Sequence, residues 1–162
     1  MAGKKNDNVL TSEFLAELYN CAITNNQICS VVSRYMEDSF LPDQQYQMLN
    51  SALKSYFAEY KTAPQYGIIT QRLSSSRSVS ELLEEIREVA TSVDLDGIRD
   101  QFEEYLKLVQ FKKIFKEVSK KYEDGERIGA MMSFTREAVK LQQFTLKPEE
   151  FIDICLLYTS PS

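Results

Sequence analysis

From Ile98 to Tyr122 apolar residues recur every three or four positions for about seven helical turns. Phe102, Tyr105 and Val109, and then, after a two-residue step, Phe111, Phe115, Val118 and Tyr122 supply the repeat. An α-helix places residues at that spacing on one side, whereas a strand alternates every second residue. Glu123-Asp124-Gly125 then turns the chain, and Arg127 to Phe144 repeats the pattern with Ile128, Met131, Met132, Ala138 and Val139. Two long helices joined by so short a turn lie antiparallel. The apolar stripe rotates and widens along the first arm, which predicts a second neighbour, on this chain or on another subunit.

The residues before this hairpin read as shorter helices. Residues 1–9 begin MAGKKNDN and are expected to be a flexible tail, with Thr11 or Ser12 capping a helix that carries Phe14, Leu15, Leu18, Tyr19 and Ala22. Thr24-Asn25-Asn26 breaks that helix, and Ile28, Val31, Val32 and Tyr35 mark the inner face of the next. Pro42 suits the first turn of a third helix, whose inner residues are Tyr46, Leu49, Leu53, Tyr56 or Phe57, and Tyr60. Pro64 stops it, and a short helix follows around Ile68 to Leu73. Ser78 and Glu81 have capping-box spacing for a further helix through Ala90. The expected fold is all-α: a compact bundle of short helices over 10–95, then a long antiparallel helical hairpin over 96–146.

Composition narrows function mainly by exclusion. The 162 residues suit a single domain with one core, and 43% hydrophobic with 27% charged residues is ordinary for a globular chain. A net charge of −5 weighs against a domain devoted to gripping a nucleic-acid backbone. There is no histidine, and Cys21 and Cys29 lack further partners for a zinc site, so no metal site is expected. Both read as buried, reduced thiols. No signal peptide or membrane span is recognisable, and a cytoplasmic protein is expected.

No phosphate loop, dinucleotide fingerprint, zinc-protease motif or nucleophile motif occurs, so no catalytic residue and no cofactor-binding residue is assigned. The adjacent pairs Glu84-Glu85 and Glu103-Glu104 read as solvated helix faces, since neighbours on a helix point in different directions. Lys112, Lys116 and Lys120 form a basic row beside Phe111, Ile114, Phe115 and Val118. Such a row fits an acidic protein partner, DNA phosphates, or a simple solvated face opposite a core seam. Tyr46, Tyr56, Phe57 and Tyr60 have the spacing of core packing, which outweighs a base-stacking platform.

The last residues break the pattern. Cys155 to Ser162 (CLLYTSPS) is the in-frame translation of TGT CTC TTA TAC ACA TCT CCG AGC, which resembles a transposase adapter used in sequencing libraries. Residues 155–162 are therefore expected to be an artefact, with the natural chain interrupted near Ile154.

The order of elements carries a resemblance. The segment "YMEDSFLPDQQYQMLNSALKSYFAEYKTAP", the Ser-rich loop, the long "DQFEEYLKLVQFKKIFKEVSKKYEDG" helix and the return helix ending "TREAVKLQQFTL" resemble the N-terminal domain of DnaB-type replicative helicases, closest to those of T4-like phages. The likeness spans roughly Leu10 to Leu146 and rests on pattern and order. It implies the collar domain of a ring-shaped 5′-to-3′ DNA helicase, pairing through hairpins into dimers within a hexamer and engaging a primase or a helicase loader. ATP, Mg and most single-stranded DNA contact would belong to a missing ATPase domain, with residues 147–154 starting the linker to it. The oligomer interface is expected at Phe102, Tyr105, Val109, Phe111, Phe115, Ile128 and Met132. Two alternatives share these signals: a stand-alone replication adaptor such as a loader or primase-binding protein, and a nucleic-acid-binding protein acting through the lysine row.

Overall fold

The computed structural model describes residues 2–89 and 94–146, with side chains from Glu13 onward. The expected linker over 147–154 and the adapter-like residues 155–162 lie outside the described residues. Among the described residues the chain is all-α, with seven α-helices, one short 3-10 turn and no strand. The helices are α1 (Ala2–Thr24), α2 (Asn26–Tyr35), α3 (Gln44–Tyr60), α4 (Gln65–Arg72), α5 (Arg77–Glu88), α6 (Leu95–Glu123) and α7 (Arg127–Gln143). They divide between two compact units at Gln101 and Phe102, within α6. The boundary expected at residues 95 and 96 marks the start of that helix, about two turns earlier.

In the first unit α1 packs on α2, α4 and α5, while α3 packs on α2, α4 and α5. Leu15, Leu18, Tyr19, Ile23, Leu49, Leu53, Ile69, Leu83 and Ile86 are fully buried among them. The boundaries follow from local chemistry. Asn25 ends the α1 pattern and caps α2, its Oδ1 accepting from the Ile28 amide at 3.0 Å. Asp43 does the same for α3 through the Tyr46 amide at 2.9 Å. Pro42 therefore lies just outside α3, not in its first turn.

Three local expectations are corrected. The helix expected to start at Thr11 or Ser12 starts at Ala2, so neither residue caps it and the tail expected over residues 1–9 is helical backbone from Ala2. Extending an established helix costs little per residue, and no proline stands in the way. The cap of α5 is Ser76, whose hydroxyl accepts from the Val79 amide at 3.4 Å, rather than Ser78. Ser76 has extended backbone (φ −110, ψ 112), so the helix starts two residues before the capping-box spacing suggests, and it ends at Glu88 rather than Ala90. Finally, α3 ends before Pro64, where Lys61 turns left-handed (φ 60). Pro64 instead caps α4.

A buried polar centre ties this unit together. The Tyr19 hydroxyl donates to Asn50 Oδ1 at 2.9 Å. Asn50 Nδ2 donates to Asp38 Oδ1 at 2.9 Å and to the Met36 carbonyl at 3.4 Å. One wholly buried amide thus joins α1, α3 and the connection between α2 and α3.

The second unit is the hairpin. Phe111 of α6 meets Phe134 of α7 edge-on, with ring centroids 6.3 Å apart. Nearer the open end, the Leu146 amide donates to Glu103 Oε1 at 2.6 Å. Near the turn, Arg127 lies 5.2 Å above the Tyr122 ring. These pairings recede along α7 as they advance along α6, so the arms are antiparallel. Gly125 makes the turn with φ +95, the Glu126 amide donating to the Lys121 carbonyl and the Gly125 amide to that of Tyr122. That pair of bonds is a Schellman helix end, which requires the left-handed residue at this position.

Candidate interaction surface on the hairpin

Both arms of the hairpin expose apolar side chains at helical spacing. On α6 these are Leu108, Phe111, Phe115 and Tyr122; on α7 they are Ile128, Met131, Met132 and Val139. Exposure reaches 58% at Phe115, 63% at Met131 and Met132, and 72% at Ile128. Scattered exposed apolar residues need no explanation, but a run on both arms of one element is the usual mark of an interaction surface. Phe111 serves both sides, since its ring also stacks beside Phe115 at 6.3 Å.

The seven expected interface residues divide into three groups. Phe111, Phe115, Ile128 and Met132 are exposed, and Val109 is half-buried. Phe102 and Tyr105 are buried within the chain itself and are core residues. Burial pushes the Tyr105 phenol up to about 12, as removal of water disfavours the phenolate. Sequence periodicity cannot distinguish such core positions from a surface stripe, because both repeat every three or four residues. Leu108, Tyr122, Met131 and Val139 are exposed as well; the spacing marks Tyr122, Met131 and Val139 without showing which side of the helix is covered, and does not mark Leu108 at all.

The lysine row is exposed at Lys112, Lys116 and Lys120, and none of the three forms an ion pair among the described residues. Glu103 departs from the solvated-face expectation. It accepts the Leu146 amide and lies 3.9 Å from Lys107, so it helps close the hairpin. Glu84, Glu85 and Glu104 are exposed. Tyr46, Tyr56 and Phe57 are core, while Tyr60 is half exposed and packs 4.6 Å from Tyr56. Cys21 and Cys29 are buried, and neither is in a disulfide.

Among the described residues no group of His, Cys, Asp and Glu is arranged to hold a metal ion, and no helix is long and apolar enough to cross a membrane. What the hairpin does present is exposed apolar side chains on both of its arms. No family model, curated protein or solved structure matches the chain.

Proposed function

We propose that this chain is the N-terminal collar domain of a DnaB-type replicative helicase of the T4-like phage kind, and that its work is protein–protein contact in DNA replication. The observation that carries this reading is the apolar surface of the hairpin, extending over both arms through Phe111, Phe115, Ile128 and Met132. Helices that expose such faces bury them against a partner, and two copies of one hairpin offer matching surfaces. The order of a short-helix bundle followed by a long hairpin agrees with the same reading. Hairpin pairing would supply the dimers of a hexameric ring, with a primase or loader engaging the collar. ATP hydrolysis with Mg and the main grip on single-stranded DNA would belong to a separate ATPase domain.

Sedimentation of the Phe115→Glu, Ile128→Glu double variant tests the pairing. The expected result is association weakened roughly tenfold or more, with unchanged helical circular dichroism. Association at wild-type strength would remove the hairpin as the pairing element. The helicase reading has its own test in the source DNA beyond the codon for Ile154. A reading frame continuing to a strand and a GxxxxGK[ST] loop supports it; a stop codon directly after Ile154 transfers the assignment to a stand-alone adaptor.

A further inference from the structure

The first unit carries a groove of about 710 Å³ between α1, the start of α3 and α5. Leu15, Tyr46 and Ile86 form a buried apolar floor, with Leu82 beside them. Glu13, Glu17, Asp43 and Glu85 line the same groove, and among the described residues no lysine or arginine does. Glu13, Glu17 and Glu85 form no ion pair among the described residues. Asp43 directs one oxygen to the Tyr46 amide. Low-dielectric walls bearing charge of one sign concentrate the field and favour a cationic occupant. A simple cation would leave the apolar floor uncovered, so the occupant has to bring both charge and hydrocarbon.

The chain itself has a surface of that chemistry. Lys112, Lys113, Lys116 and Lys120 are exposed on α6 and unpaired among the described residues, outnumbering the nearby Glu117 and Glu123. Lysine combines a four-carbon stem that covers apolar surface with an ammonium that reaches a carboxylate at the rim. We infer that the acid-lined groove of one copy receives the lysine-bearing α6 arm of a second copy. The contact is heterologous: groove and arm are different surfaces, each copy has both, and copies can therefore be added in succession. Pairing of like hairpins is isologous and stops at two. The inference does not depend on the helicase assignment, and it uses the lysine row rather than the apolar stripe.

Charge reversal on each side, followed by mixing, tests it. One variant carries Glu13→Lys and Glu85→Lys, both at exposed groove positions; the other carries Lys116→Glu and Lys120→Glu. The full chain at about 50 mM salt is expected to sediment beyond a dimer, and to lose that growth at about 500 mM, where the Debye length shrinks to about 4 Å. Each variant alone is expected to lose the growth, with association weakened roughly tenfold or more. An equimolar mixture is expected to regain it, because reversed groove then meets reversed arm. Misfolding is excluded by wild-type helical circular dichroism together with this rescue. Wild-type protein that stops at a dimer in low salt, variants that grow as wild type does, or a mixture without rescue would each overturn the inference. Loss of hairpin pairing is read separately, in the Phe115→Glu, Ile128→Glu variant.

Discussion

Asn50 is the side chain on which the first unit most depends for polar order. Its amide is wholly buried, yet one acceptor and two donors are used, by Tyr19, Met36 and Asp38. A buried network of this kind contributes little net stability when complete and costs much when broken, since each deserted partner stays desolvated. Asn50→Ala removes the bonds that the Tyr19 hydroxyl, the Met36 carbonyl and Asp38 make to this amide and is expected to cost about 2–3 kcal/mol in urea unfolding. Tyr19→Phe keeps the ring and strands only Oδ1 of Asn50, so about 1 kcal/mol is expected. A neutral Asn50→Ala would mean that the network contributes nothing.

Among the elements, the hairpin turn gives the sharpest case of a residue chosen by backbone geometry. Gly125 has φ +95, and a Cβ built there meets no atom within 4 Å. Gly125→Ala therefore tests conformation without steric clash. A left-handed alanine costs about 1–2 kcal/mol, and thermal or urea unfolding is expected to show a loss of that size. Asparagine tolerates this region better, so Gly125→Asn is expected to lose less. Equal losses for both would place the cost elsewhere. Lys61 shows the contrast: also left-handed at φ 60, it ends α3 without glycine, its amide donating to the Phe57 carbonyl at 2.8 Å.

For the molecule as a whole, stability at alkaline pH is expected to follow three acids, the buried Cys29 and Tyr105 and the half-buried Tyr66. Burial raises the Cys29 thiol from 9.0 to about 12, and the Tyr66 and Tyr105 phenols from 10.0 to about 12. In each case the folded chain holds its proton more tightly than the unfolded chain. Their contribution is complete below the unfolded values and disappears as pH rises towards the folded ones. The melting temperature is thus expected to fall progressively between about pH 9 and 12. Cys29→Ala removes the first of these groups and should move the onset of the decline upward by about one pH unit, to where the phenols begin to titrate. A wild-type melting temperature that is flat to pH 11 would contradict this. The same burial predicts that Cys29 reacts with thiol reagents at pH 8 only after unfolding.

The local features of the sequence specified helices, turns and most inward faces, because each is written within a few residues. The spacing in α3, the Asn25 break and the Gly125 turn all lead directly to structure. Caps were less legible: Ser76 and Ser78 are equally good residues for the role, and only the backbone entering α5 decides between them. Side-chain environment was the least legible, being set by segments distant in sequence. Phe102 and Phe115 belong to one apolar repeat, yet the first is core and the second is exposed. Glu103 looked solvated until Leu146, more than forty residues away, brought its amide to it. Likewise, Glu13, Asp43 and Glu85 come from three separate helical regions, and only their packing makes them the wall of one groove. Periodicity records that a face is apolar; what covers that face is decided when the chain folds upon itself.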